Sequence, residues 1–291
     1  MTSPFVRRRR LGAELRTLRE QSGMTADELA RRIYRSRMTI SKLENARCRP
    51  DIGDIVKIMK ILGVTGDRFD ALFKIACDAA ERGWWDNYGD AMGPRQRMYA
   101  DLESGAASIH GYYQIAIPGI LQTPDFIWAL VDLDRADGPL PYQPERMVQA
   151  RLQRQEVAFS PDGPKCHLIL DEFLLRRLAV PRNVMRAQLL HLIEEASSQP
   201  RLRLRVLDID ARIEGGFSAK SPFSIYNFPD ADDAAMAVAD TVNTDIVHTE
   251  AKDVRRYIEL HRRLWDASLS EVRSLDLLEA TANRLTKLAG S

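Results

Sequence analysis

The stretch TADELARRIYRSRMTISKLENARCR, residues 25–49, constrains the fold more than any other part of this chain. Thr25 followed three residues later by Glu28 is a capping box: the hydroxyl and the carboxylate each satisfy a backbone N–H that lacks a partner at a helix start. A helix therefore begins at Thr25, and Leu29 and Ile33 give it an apolar face. Ser36 is placed to cap a second helix, on which Ile40 and Leu43 form an inward i, i+3 stripe. Only a tight turn fits between them. The spacing predicts a helix-turn-helix.

The outward side chains of the second helix carry chemistry. Ser36, Arg37, Met38, Thr39, Ser41, Lys42 and Asn45 suit a major groove, which presents acceptors on guanine and a methyl group on thymine. Arg47 and Arg49, just beyond the helix, are assigned to phosphate. Charge divides the same way. Residues 1–80 hold 17 Lys and Arg against 10 Asp and Glu, a net +7, and residues 81–291 hold 25 against 31, a net −6. The whole-chain charge of +1 conceals this split. A positive segment attracts phosphates, whereas the acidic remainder repels DNA and has another role. The run Arg7 to Arg10 reads as lying just before the first helix, either as an arm along the DNA, with Arg10 as a contact, or as a solvated tail.

At 291 residues and 45% hydrophobic, the chain can build two domains with separate cores. Three cysteines, Cys48, Cys77 and Cys166, show no C-x-x-C spacing, which argues against a disulfide framework or a zinc finger and for a reducing compartment. No segment approaches 18 uninterrupted apolar residues, and no signal-type apolar core follows the N-terminal charges. The expectation is a cytoplasmic protein without membrane contact.

Periodicity predicts a fifth helix at 67–80 and an aromatic, Gly- and Pro-containing junction at 83–94, in which Trp84 and Trp85 either form a ligand cage or pack. Helices are predicted at 95–110 and 143–158, with another capped by Thr123 and opened by Pro124. A buried strand at 165–173, an amphipathic helix at 182–198 and an alternating strand at 201–209 follow. Short strands at 223–229, 235–240 and 245–249 precede helices at 250–266 and 269–288. The expected class is α+β, a five-helix head followed by a mixed α/β domain. The boundaries are 1–80 for the head, 81–94 for the junction and 95–291 for a regulatory and dimerisation domain.

Residues 11 to about 75 resemble the helix-turn-helix family of the lambdoid phage repressors and xenobiotic-response-element type regulators. LGAELRTLRE at 11–20 resembles the family's first helix, SRMTISKLENAR at 36–47 its recognition helix, and RPDIGDIVKIMKILGV at 49–64 its fourth helix and turn. The resemblance implies that Arg19 and Glu44 form a structural ion pair between the first and third helices. Ala26 departs from a frequent Gln that touches DNA, and Tyr34 from a Gly that makes the turn, implying a strained or slightly altered turn there. Roughly residues 84–288 resemble the large domain of actinobacterial antitoxin-like regulators, through IPGILQTPDF at 117–126, ARLQRQ at 150–155, LILDEFLLRR at 168–177, MRAQLLHLIE at 185–194 and SPFSIYNFPD at 221–230. That resemblance implies a one-component regulator whose gene often lies beside that of a small partner protein.

Catalytic signatures are lacking. His110, His167, His191, His248 and His261 are scattered without H-x-x-x-H or H-E-x-x-H spacing, so no metal is expected. Asp208 and Asp210 read as turn formers, as do Gly215 and Gly216, and there is no G-x-S-x-G, Walker-type loop or G-x-G-x-x-G. Ser218 with Lys220 is the nearest approach to a self-cleaving Ser/Lys dyad. The expectation is a non-enzymatic, cofactor-free, dimeric regulator binding double-stranded DNA, with a signal- or partner-receiving second domain. An antitoxin-type protein that binds a small partner and autoregulates is the alternative. A self-cleaving repressor ranks third, and no small-molecule ligand is assigned.

Overall fold

The computed structural model describes residues 2–216, 220–241 and 244–289. It divides into two compact units, one of residues 1–87 with Asp230–Asp233, the other of residues 88–229 and 234–291.

The N-terminal unit is built from α1 (Pro4–Gln21), α2 (Ala26–Arg32), α3 (Arg37–Glu44), α4 (Ile52–Ile61) and α5 (Gly66–Ala80). Local chemistry sets most of the starts. Ser3 caps α1 by accepting from Val6 N at 3.2 Å, and Pro4 supplies the first helical residue. Both halves of the Thr25/Glu28 box form at α2, Ser36 accepts from Thr39 N at α3, and Asp51 accepts from Asp54 N at α4. Leu11, Leu15 and Leu18 line one side of α1 and join Leu29, Ile33, Ile40 and Leu43 in a single core. Burying each such side chain contributes roughly 1.5–3 kcal/mol.

The first four helices end alike. After α2, Tyr34 N donates to Arg31 O and Arg35 N to Ala30 O, the paired closure that requires a left-handed residue. Gly23 and Gly63 occupy that position after α1 and α4, at φ of 69° and 71°. Tyr34 and Ala46 occupy it after α2 and α3, at 58° and 57°. Non-glycine residues held left-handed therefore bracket α3 on both sides.

The second unit carries α6 (Pro94–Gly105), β1 (Ser108–Tyr113), α7 (Pro124–Asp137), α8 (Pro144–Ala158), β2 (Lys165–Asp171), α9 (Glu172–Arg176) and α10 (Arg182–Ser198). β3 (Leu202–Leu207), β4 (Phe223–Asn227), β5 (Met236–Ala239), β6 (Ile246–His248), α11 (Ala251–Ala267) and α12 (Glu271–Ala289) follow. The six strands form one sheet in the order β3-β2-β1-β4-β5-β6. β1, β2 and β3 pair in parallel, whereas β1–β4, β4–β5 and β5–β6 are antiparallel. Tyr112, Ile169, Phe223 and Ile225 cover one face and pack with Tyr257, Leu260, Leu264 and Trp265 of α11. The register sets Gly111 opposite Ser224 and Ile109 opposite Tyr226, so Tyr113, Ser224 and Tyr226 share the opposite face. The mixed sheet with its helices is the expected α+β class. Among the described residues no helix is long and apolar enough to cross a membrane.

Two sequence expectations are corrected. The helix predicted at 95–110 stops at Gly105, and β1 begins at Ser108. SIHGYY is a weak strand by composition, but pairing on both edges, with β2 and β4, outweighs local preference. Likewise the strand predicted at 165–173 ends at Asp171, whose carboxylate accepts from Phe173 N and opens α9.

Candidate nucleic-acid interface

Three contacts set the orientation of α3. Arg19 of α1 grips Glu44 of α3 bidentately, Nε to Oε1 at 2.6 Å and Nη2 to Oε2 at 2.9 Å, and Arg19 Nη1 also donates to Met24 O at 2.9 Å. The Arg19 and Glu44 side chains are 11% and 9% exposed, and the hydrogen bond to Glu44 raises the guanidinium pKa further. Gly12 is the second contact: a Cβ there would lie 2.7 Å from the carbonyl oxygens of both Leu43 and Glu44, so α1 crosses the end of α3 at backbone distance. Third, Arg35 after the turn reaches the buried Asp54 of α4, Nε to Oδ2 at 2.7 Å.

The opposite face of α3 is open. Arg37 has a 72% exposed side chain, and its ion pair to Asp27 at 3.7 Å is itself exposed and weak. Met38 is 65% exposed. Ser41, Lys42, Asn45 and Arg47 are exposed, and Thr39 is half-buried. Two hydroxyls serve the fold first, because Ser36 Oγ accepts from Thr39 N at 3.2 Å and lies 3.0 Å from Thr39 Oγ1. Asn45 Nδ2 donates to Ser41 O at 2.8 Å, which closes the helix and directs the side chain back along it. Arg49 donates to Asp86 at 3.0 Å.

The Arg7–Arg10 run is a correction. It lies inside α1, because the Ser3 cap and Pro4 start that helix seven residues earlier than the apolar pattern suggests. Arg10 is no free arm: it pairs with Asp232 at 2.7 Å, Asp230 at 3.0 Å and Asp233 at 3.4 Å. Arg7, with an 8% exposed side chain, shares Asp230 and Asp233 and reaches Asp78 at 3.5 Å. Asp230, Asp232 and Asp233 lie more than 200 residues away in sequence, so no local signal could have identified them.

Residues 10–72 match the family model described as Helix-turn-helix domain. Residues 96–280, more than half of the chain, match the model described as Domain of unknown function (DUF5753). The chain belongs to the DUF5753 family. No curated protein matches it, and no solved structure does. Together with the open α3 face, the first match shows a helix-turn-helix protein of the DNA-binding regulator type.

Within the DUF5753 domain, the scattered histidines are less scattered than they look. His110 lies 4.8 Å from His167 and 5.2 Å from His261 between ring centroids, both edge to face, and Trp265 stacks on His167 and His261. The parallel register opposing His110 to His167 brings the first pair together. Among the described residues no group of three or more His, Cys, Asp or Glu is placed to hold a metal ion. Asp208 accepts from Asp210 N at 2.8 Å, an Asx turn. Ser218 lies outside the described residues. In the N-terminal unit Trp85 is 4% exposed against an edge-on Trp84, which is packing rather than an open cage.

Proposed function

We propose that this protein is a sequence-specific transcriptional regulator that binds double-stranded DNA as a cytoplasmic homodimer, its second domain receiving a signal or partner without catalysis. The observation carrying this reading is the face of α3: a capped helix, anchored by Arg19–Glu44, that leaves Arg37 and Met38 open to solvent. Arg37 and Lys42 face base edges, and Arg47 and Arg49 take phosphates. One such helix reads only a few base pairs, which supports two heads on two half-sites.

Genome-wide footprinting followed by titration of the recovered site tests it. Arg37→Ala should cost about 1–3 kcal/mol on that site and relax preference at one base pair, whereas Arg47→Ala weakens all sequences alike. Unchanged affinity and preference in Arg37→Ala would overturn the assignment. The acidic balance beyond residue 80 favours a second, overlapping reading, in which that domain holds a small partner protein and DNA binding serves autoregulation. A pull-down with the full chain, without DNA, separates the two.

A further inference from the structure

The second unit contains a cavity of about 650 Å³, within the usual range for small-molecule sites. Its floor is the sheet face that carries Tyr113, Ser224 and Tyr226, and Ile115, Ile117, Ile120 and Leu130 supply apolar wall. Three guanidiniums, those of Arg95, Arg151 and Arg154, also line it. Two are neutralised in place. Arg154 is held by the buried Glu103 through a bidentate pair at 2.5 and 2.6 Å, and Arg95 by Asp245 at 2.7 Å and Asp240 at 3.4 Å.

Arg151 is different. Among the described residues no carboxylate lies within ion-pair distance of its nitrogens. Its partners are neutral: Gln122 Oε1 accepts from Nη1 at 3.0 Å, and the Gln96 amide oxygen, oriented by these bonds, accepts from Nε at 3.0 Å and Nη2 at 2.9 Å. Asp134, which attracts it from farther off, accepts instead from Tyr142 at 2.5 Å. Burial, and then the nearby Arg154, lower the Arg151 pKa to about 10, the mark of a guanidinium short of compensation. These bonds use one N–H each of Nε, Nη1 and Nη2, so one N–H on each of Nη1 and Nη2 remains for a ligand oxygen.

We propose that this cavity binds a small organic monocarboxylate with an apolar body, its carboxylate held by Arg151 and its body against the isoleucines, Leu130 and Tyr113. A dianion fits less well, because the fixed carboxylates of Glu103 and Asp240 face the same space, and with the exposed Lys220 counted, the walls and Asp245 carry one positive charge in excess. A neutral or cationic ligand leaves Arg151 uncompensated. The inference does not depend on DNA binding.

Calorimetric titration of the full-length chain with decanoate and with 4-phenylbutyrate tests it. Decanamide, 4-phenylbutylamine and phenyl phosphate serve as the neutral, cationic and dianionic comparisons. Saturable binding of at least one carboxylate is expected, tighter than any comparison by tenfold or more. Arg151→Met should weaken it at least tenfold. Ala116→Trp, which adds bulk at an exposed position of the cavity lining and leaves every charge in place, should weaken it as well and decides the matter if the Arg151 variant does not fold. No saturable binding by either carboxylate, equal binding of decanamide, tighter binding of phenyl phosphate, unchanged binding in a folded Arg151→Met, or unchanged binding in Ala116→Trp would overturn the proposal.

Discussion

At the residue scale, charges and imidazoles removed from water tie stability to particular side chains. Glu44, 9% exposed, pairs with Arg19, so Glu44→Ala takes the bidentate partner from a largely buried guanidinium and leaves it the exposed Glu20 at 3.5 Å. Loss of one partner of such a pair costs about 3–5 kcal/mol. Thermal melting should show the N-terminal unit unfolding first in Glu44→Ala, and an unshifted transition there would remove the pair from the account of the fold. His261 makes the opposite argument, for a group kept neutral. It is 5% exposed, and its Nε2 donates to His167 O at 3.2 Å. Burial, reinforced by His110, brings its pKa down from 6.5 to about 4. The unfolded chain therefore takes up this proton first as pH falls. The stabilisation is complete above about pH 6.5 and lost between there and about pH 4, on the order of 3 kcal/mol in total. Denaturant melts of the wild type across that window, compared with His261→Gln, should show a pH slope that the variant lacks in part; equal slopes would exclude His261 as its source.

At the element scale, what the sequence disclosed and what it hid divide along a physical line. Caps and stripes act over three or four residues, so Thr25 with Glu28, Ser36 with Thr39, and the Ile40 and Leu43 stripe were legible, and with them the α2–turn–α3 unit. The start of α1 was missed because four arginines hide the apolar pattern, although Ser3-Pro4 was a readable signal. β1 was missed because its stability comes from two neighbouring strands, and the histidine cluster because register rather than spacing assembles it. The partners of Arg10 and the environment of Arg151 follow only from tertiary structure. The left-handed closures lie between these cases. Tyr34 was recognisable from its departure from a family glycine, but Ala46 was not. Both bracket α3 at a cost glycine would avoid. Tyr34 is 92% exposed and loses little packing on truncation, so Tyr34→Gly should stabilise the N-terminal unit by about 0.5–1 kcal/mol in chemical denaturation. Destabilisation would mean that the ring makes contacts worth more than the strain. Gly12 has the reverse sign: Gly12→Ala meets two carbonyl oxygens at 2.7 Å, must push α1 off α3, and should cost about 1–3 kcal/mol despite the better helix propensity of alanine.

At the scale of the whole molecule, the question is how a head with one short recognition helix acquires enough selectivity to regulate. The cations proposed to reach DNA are Arg37, Lys42, Arg47 and Arg49, four per head, and Arg49 must first leave Asp86. The two phosphate contacts among them, Arg47 and Arg49, set a salt slope of roughly −2 for one head, and two heads double it. Such affinity is mostly indifferent to sequence, so discrimination has to come from engaging two half-sites at once. Two-fold closure through the second domain would hold two recognition helices about one helical turn, roughly 34–36 Å, apart. The full-length chain should therefore sediment as a dimer and bind its recovered site with the doubled salt slope. Inserting about half a helical turn, some five base pairs, between the half-sites turns one of them to the far side of the duplex. Binding should then fall to the affinity and slope of a single half-site, while an insertion of about ten base pairs restores the facing and part of the loss. A monomer in sedimentation, or a site whose affinity ignores the five-base-pair insertion, would show that each head acts alone and that the second domain closes no dimer on DNA.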